Sequence, residues 1–503
     1  MSSRTENSIK NMKYGVLLQL SNIILRFAVR TVFVRSLGVK YLGIGSVFNN
    51  IFSILSLAEL GIGTAIAYDM YKPVSVGDTY KIKQLLDFYR KFYYGIGGLI
   101  IAAGICIIPF LDCILSDIQD IRHITLIFIL HIVYSSSSYF FAHYRSLFSA
   151  HQLERINSAN TLLFSYIQTG GEILALALTH SYTAYMSIQI ICAILSNYMI
   201  RMKAKKRFKL INMKVGPLSR DDIKGIMSNA VNMLSIKVGQ TVITSTDNLV
   251  ISVFLGTVLV GIYGNYSMII SVLLSTTFVI ENSVVASIGN LCTSHNYVQK
   301  YSVFQKIRCG YSCLYGVMCS CLVALLNPFI ELWLGREYLL DFSITILIVL
   351  NFYLLGIRQP LEAYIYADGL FRHFKIKPWV EAAINLTVSV MLARNLGIAG
   401  VFMGTSISHI LTTFWFDAYI VYRYSFDKKI TEYIRMYFRN LIWTIVSVFA
   451  SYILFHYMYA RTIISFVISA TAVFVVSGVV CCLFNCRNEE FRELLKHFLK
   501  GKN

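Results

Sequence analysis

Charge is scarce in this sequence. Of its 503 residues only 14% are Asp, Glu, Lys or Arg, where a soluble domain carries roughly 25%. Acids are the scarcer sign, with 26 Asp and Glu against 45 Lys and Arg. Proline is scarcer still, at six in the whole chain, so long helices meet few breakers. A cleavable signal is missing: Met1 to Lys13 is polar, and the first apolar run is too long for an h-region. No Walker A loop and no HExxH occurs, and Ser135 to Ser138 have no His or Asp arranged with them as a triad. These absences exclude an ordinary soluble globule and the common hydrolase and nucleotide-binding motifs. What is present is apolar: 56% hydrophobic residues, 33 Tyr, 33 Phe and a mean hydropathy of +0.61. The fold class that follows is an all-α polytopic membrane protein.

The 11 cysteines lie mostly in apolar runs. Cys309 and Cys313, and Cys481, Cys482 and Cys486, have helical spacing, but no His or second Cys pair completes a metal site. They read as core packing, with no disulfide framework and no metal.

A net charge of +19 raises the question of nucleic acid. The distribution answers it, because the basic residues cluster in alternate short loops, as cytoplasmic loops do. At about 20 apolar residues per span, fourteen transmembrane helices are expected: 14–34, 43–68, 92–111, 124–147, 158–178, 183–200, 230–254, 261–285, 309–328, 343–366, 378–395, 398–421, 440–458 and 462–484. An even number puts both termini on one side. Loops on that side hold about 35 Lys and Arg and the alternate loops about 6, so both termini are expected to be cytoplasmic. The outer loops are short, none longer than the stretches 112–123 and 331–343. No extramembrane domain is large enough for an enzyme site, and the chain is not expected to be an enzyme.

The most basic loop, RMKAKKRFKLINMKVGPLSRDDIK from Arg201 to Lys224, separates two halves. Its plain reading is a positive-inside anchor with an amphipathic interfacial segment. The expected organisation is a six-helix lobe over residues 1–200, a basic cytoplasmic linker over 201–229, a second six-helix lobe over 230–424, and two further helices with a short amphipathic cytoplasmic tail over 425–503. A weak internal repeat supports it: Leu37-Gly38 and Gly43-Ile44 recur as Leu255-Gly256 and Gly261-Ile262, a shift of 218 residues. With that shift Arg30 falls on Asn248, beside Asp247.

The chain is organised around RTVFVRSLGVKYLGIGSVFNNIFSILSLAELGIGTAIAYDMYKP, from Arg30 to Pro73. Arg26 and Arg30 are four residues apart, on one face of the first helix. Ser46, Asn49, Ser53, Ser56 and Glu59 line one face of the second. The seventh span carries Lys237, Gln240, Thr241, Thr244, Asp247 and Asn248 at helical spacing, and the eighth adds Asn265, Ser267, Ser271, Ser275 and Glu281. Arg at the centre of a membrane helix costs about 2.5–3.5 kcal/mol on insertion scales. Such residues face a bundle interior or a wet cavity. The pattern predicts a polar cavity, lined by the first two helices of each half, for an anionic cargo. Arg26, Arg30, Asn49, Lys237 and Asn248 are the candidate substrate-binding residues. Glu59 and Asp247 are the candidates for binding a coupling H+ or Na+; no other cofactor is expected. The competing reading is that these groups pair with each other and only join helices. Glu172, Arg358, Glu362, Glu381 and Asp417 are further polar points, and Gly400 and Gly404 form a GxxxG that reads as helix packing.

The stretch Arg30 to Pro73 resembles the opening helices of the Wzx-type polysaccharide flippases. These belong to the superfamily that also holds multidrug and toxin extrusion transporters and lipid II flippases. The resemblance continues in order through TDNLVISVFLG (Thr246–Gly256), VGIYGNYSMIISVL (Val260–Leu273), SIGNL (Ser287–Leu291), NPFIELWLGREYLLD (Asn327–Asp341), NFYLLGIRQPLEAY (Asn351–Tyr364) and LGIAGVFMGTSIS (Leu396–Ser408). Arg30, Glu59, Asp247 and Arg358 sit within these stretches and Glu381 between the last two, whereas Arg26 is this sequence's own addition. The resemblance implies two six-helix lobes forming a V, and alternating access of an undecaprenyl-diphosphate-linked oligosaccharide destined for O-antigen, capsule or another surface polymer. It also implies a bacterial inner membrane, with membrane lipid, a polysaccharide polymerase and a chain-length regulator as partners. A drug or cation extrusion antiporter of the same superfamily is the alternative, and a membrane enzyme of polysaccharide assembly the more distant one.

Overall fold

The structure is a computed structural model that describes residues 4–56, 62–115, 121, 123–292, 297–374, 376–458 and 462–500. Among them it is helical from end to end, with no strand. Packing divides the chain into two compact units, Met1–Gly261 and Ile262–Asn503.

The first unit opens with α1 (Arg4–Leu55). There follow α2 (Ile62–Val76), α3 (Thr79–Ile107), the short α4 (Leu111–Ile114), α5 (Ile124–Ser137), α6 (Ala142–Ala150), α7 (Glu154–Thr179), α8 (Tyr182–Arg207) and α9 (Arg220–Leu255). The run of α1 is interrupted at Gly38, whose φ of 80° and ψ of 179° lie where a side chain is strained. Asp78, Ser181 and Ser219 cap the starts of α3, α8 and α9 by accepting a backbone N–H of the first turn. The core sits where α1, α5, α7 and α8 meet. Phe48 lies edge-on to Phe128 with ring centroids 4.8 Å apart, and His131 Nε2 lies 2.9 Å from the Tyr182 hydroxyl. The packing boundary falls at Gly261, so α9, the first span of the expected second lobe, packs here against α1, α2 and α4.

The second unit contains most of α10 (Thr257–Cys292), then α11 (Tyr297–Leu334), α12 (Phe342–Ala367), α13 (Lys377–Leu396), α14 (Ile398–Ser408), a π-helical turn over His409–Thr413, α15 (Phe414–Ser425), α16 (Ile430–Met458), α17 (Ile463–Asn485) and α18 (Glu489–Lys500). Close approach is built on small residues. A Cβ on Gly400 or Gly404 would collide with the backbone of Leu392 or Ser389 on α13, so the GxxxG is a packing seam. The tail helix α18 is amphipathic as expected and inserts Phe491 beside Cys309, Trp443 and Cys481. Cys309 and Cys481 are core residues, whereas Cys482 and Cys486 are exposed.

Eleven helices among the described residues are long and apolar enough to cross a membrane. Of the other three expected spans, 230–254 lies in α9 and 378–395 in α13, while 43–68 follows the first through α1 across the Gly38 kink as far as Leu55, its residues 57–61 lying outside the described ones and 62–68 in α2. The chain is a multi-pass membrane protein.

The basic loop differs from a free linker. Its first third extends α8 to Arg207, and residues 209–212 form a 3-10 turn. The rest lies on the start of α3. Gln84 Nε2 donates to the carbonyls of Gly216 and Pro217, the Gly216 amide donates to the Tyr80 hydroxyl, and Lys81 Nζ lies 2.6 Å from Asp222 Oδ2.

Candidate functional site

Arg26 and Arg30 share one face of α1, as expected; Arg26 is exposed and Arg30 half-buried. Tyr185 on α8 lies near Arg30, and Glu172 of α7 and Tyr134 of α5 lie near Tyr185. Glu172 is buried and accepts a 2.7 Å hydrogen bond from Gln168 Nε2. No acid lies within 14–34, the span of the arginines, but Glu172 from a neighbouring helix lies near the same tyrosine as Arg30. Heptad reasoning along single spans misses this, because Glu172 and Tyr185 belong to two other helices.

The Ser and Thr stripes behave differently. Ser46 donates to the Leu42 carbonyl, Ser53 to Asn49 and Ser56 to Ser53. On α10, Ser271 and Ser275 donate to Met268 and Val272. These hydroxyl protons are bound within their own helices, which leaves oxygen lone pairs as what they offer a ligand. Asn49 is exposed, Asn248 half-buried and Asp247 buried. Glu59 lies outside the described residues, and so does the side chain of Lys237 on α9.

The internal repeat has a geometric counterpart. Gly38 and Gly256, 218 residues apart, both adopt positive φ, 80° and 98°, with extended ψ of 179° and 156°. Each is the turn between the first two helices of a repeat.

In the second unit the polar points form one buried cluster. Arg358 of α12 donates from Nε to Asp417 Oδ2 at 2.7 Å, and Lys377 Nζ of α13 lies 2.9 Å from Asp417 Oδ1. Lys377 also lies 3.5 Å from Glu381 Oε2. Glu381 Oε1 is 2.8 Å from His409 Nδ1 and accepts from Thr413 Oγ1 at 2.7 Å. His409 and Thr413 bound the π-helical turn, a local widening that is frequent at functional sites. A cavity of about 20 Å³ lies beside Arg358, His409 and Thr413, under Tyr433 and Tyr437. Asp417 is fully buried between two cations. Lys377, His409 and Thr413 were not among the expected site residues. The signal was present: Lys377 and Glu381 are four apart, and His409, Thr413 and Asp417 form a second such series.

No protein-family model matches the chain, and no curated protein matches it either. Solved structures do match. The lipid II flippase MurJ in an inward closed conformation superposes with a TM-score of 0.67 at 16% identity, covering 95% of this chain and 100% of that one. An inward-facing multidrug resistance MATE family transporter of the MOP superfamily gives 0.63 at 13% identity, covering 80% and 98%. A mutant of the Vibrio cholerae MATE transporter VcmN gives 0.57 at 13% identity, covering 85% and 99%. The chain has the fold that these transporters share.

Proposed function

We propose that the protein is a flippase that moves undecaprenyl-diphosphate-linked oligosaccharide repeat units from the cytoplasmic to the outer leaflet of a bacterial inner membrane. It works by alternating access between two six-helix lobes, with both termini cytoplasmic. The observation that carries this reading is the cationic face of α1, with Arg30 half-buried inside an apolar span. A diphosphate must not cross hydrocarbon bare, and a guanidinium stays charged and donates two parallel bonds to phosphate oxygens. Arg26 and Asn49 are exposed as well and are the further contacts proposed for phosphate and sugar. The prenyl tail stays in lipid, and a polymerase with its chain-length regulator consumes the product. The second reading, drug or cation extrusion, has the fold likeness to MATE transporters in its favour. A cation-selective lumen, however, favours acids over paired arginines.

The test is surface polymer per folded copy of transporter. Arg30→Ala should abolish or severely reduce it, Arg30→Lys should restore part, and Arg26→Ala should be milder. Wild-type output from the Arg26→Ala/Arg30→Ala double variant would overturn the reading. Restoration of Arg30→Ala by Glu172→Gln would mean that Arg30 serves only to balance a buried acid. Efflux of cationic dyes with normal surface polymer in a deletion strain would favour the second reading.

A further inference from the structure

A second polar cavity, of about 220 Å³, lies in the first unit between α1, the end of α6 and the start of α7. It is far larger than one water, whose share of liquid volume is about 30 Å³. None of the expected site residues lines it. Its walls carry one group of each charge, Arg145 and Glu154, together with Ser158, Thr161 and the amide of Asn157.

The two charges do not close on each other; no ion pair joins them among the described residues. Arg145 is held by neutral partners: Nε and Nη2 donate to Asn197 Oδ1, Nη2 also to Ser196 and Nη1 to Thr161. One guanidinium N–H is left over from the five. Glu154 accepts from Ser149 and from Asn157, both on Oε2, so Oε1 is left as an acceptor. The cavity therefore presents a fixed cation on one wall and a carboxylate oxygen with an unused acceptor on another. A simple anion meets Glu154, and a simple cation meets Arg145. A ligand with an N–H-bearing cation and an anionic oxygen satisfies both.

The surroundings point to lipid. Leu17 and Leu20 of α1 and Leu163 and Tyr166 of α7, from the helices that wall the cavity, are exposed apolar residues.

We propose that this cavity binds an aminoalkyl phosphate, the ethanolamine phosphate headgroup of a membrane phospholipid. The ammonium donates to Glu154 Oε1, and the phosphate accepts from Arg145 and Ser158. The site is independent of the transported cargo.

The full-length protein, stripped of lipid in detergent, is offered equal amounts of phosphatidylethanolamine, phosphatidylcholine and phosphatidylglycerol with the same acyl chains, and bound lipid is counted by native mass spectrometry. Phosphatidylethanolamine should be retained about tenfold over the other two, the effect of one charge-assisted hydrogen bond. Phosphatidylcholine has the charge without the N–H, and phosphatidylglycerol has the anion without the cation. Glu154→Gln, which keeps an acceptor for Ser149, should remove the preference, and so should Ser158→Val in part; monodisperse elution shows that both fold. Free phosphoethanolamine should displace the lipid. Binding of free phosphoethanolamine without any lipid preference would keep the chemistry and overturn the lipid source. Equal retention of all three lipids without such binding, or an undiminished preference in Glu154→Gln, would overturn the site.

Discussion

Gly43 and Gly261 pack backbone to backbone, and the contact maps onto itself when the two repeats are exchanged. A Cβ on Gly43 would overlap the carbonyl of Thr257 and stand 3.2 Å from the Gly261 nitrogen. A Cβ on Gly261 would overlap the carbonyl of Val39 and stand 3.0 Å from the Gly43 nitrogen. Thr257 and Gly261 follow Val39 and Gly43 by the same 218 residues that separate Gly38 from Gly256. Four identities in a turn thus mark a local two-fold axis, and no room for a side chain exists on it.

Alanine at Gly43 or Gly261 should therefore lower the thermal midpoint in detergent. Overpacking of this kind costs about 1–3 kcal/mol, and backbone carbonyls cannot rotate away as side chains do. Gly38→Ala has open space but positive φ, so its cost is conformational, about 1 kcal/mol or somewhat more. Gly15→Ala meets nothing within 4 Å and removes a glycine from inside α1, so it should hold the midpoint or raise it slightly. Equal midpoints for Gly43→Ala and Gly15→Ala would contradict the packing described.

The Asp417 carboxylate answers both Arg358 and Lys377. Asp417→Asn should destabilise by about 3–5 kcal/mol, because it leaves buried positive charge uncompensated. Lys377→Met in the same chain should return part of that loss, since one of the two cations is then gone. The check is the thermal midpoint of the single and double variants. A double variant less stable than Asp417→Asn would show that Lys377 is held by Glu381 and not by Asp417.

Lys81 and Ser219 hold the Asp222 carboxyl below its usual range. A folded value below the unfolded one means the tie is present above about pH 4 and is lost as pH falls through the lowered value. The pair is part exposed, so it is worth at most about 1 kcal/mol, a factor of about five in opening. Amide exchange over residues 209–219, corrected for intrinsic rate, should be faster at pH 3 than at pH 7. Asp222→Asn should show the faster exchange already at pH 7 and no further acid effect through this group.

The helices, their order and the repeat were legible because each follows from one-dimensional pattern: apolar run length, and glycines at a fixed shift. The grouping of Arg26 with Arg30 followed from a four-residue spacing on one helix. The neighbours of Arg30 did not, since Tyr185 and Glu172 come from helices whose rotation only packing sets. The same holds for the cluster around Asp417. Its members lie on three helical segments, and Lys377 at the start of a span looks in sequence like another interfacial lysine. The docking of the basic loop was illegible for a further reason. Gln84 and Tyr80 bind backbone groups, and backbone donors and acceptors leave no mark in the sequence.

Coupling to an ion gradient requires a carboxylate that binds and releases the ion during the cycle. Glu381 is poorly suited: His409, Thr413 and Lys377 all contact it, and releasing it means dismantling a buried network. Glu381→Gln should therefore lower folded yield more than it changes gradient dependence. Glu59 and Asp247 remain the candidates, Glu59 by its spacing from Ser46 and Asn49 in the sequence and Asp247 as a buried carboxylate beside the repeat counterpart of Arg30. Transport of a fluorescent prenyl-diphosphate sugar into inverted vesicles, with and without a proton or sodium gradient, separates the two roles. Glu59→Gln and Asp247→Asn should each reduce the gradient-driven rate and leave the slow gradient-free rate, and the double variant should show no stimulation by either ion. Stimulation that survives the double change would remove both carboxylates from the mechanism. Stimulation lost in well-folded Glu381→Gln instead would move the ion site to the cluster at the π-helical turn.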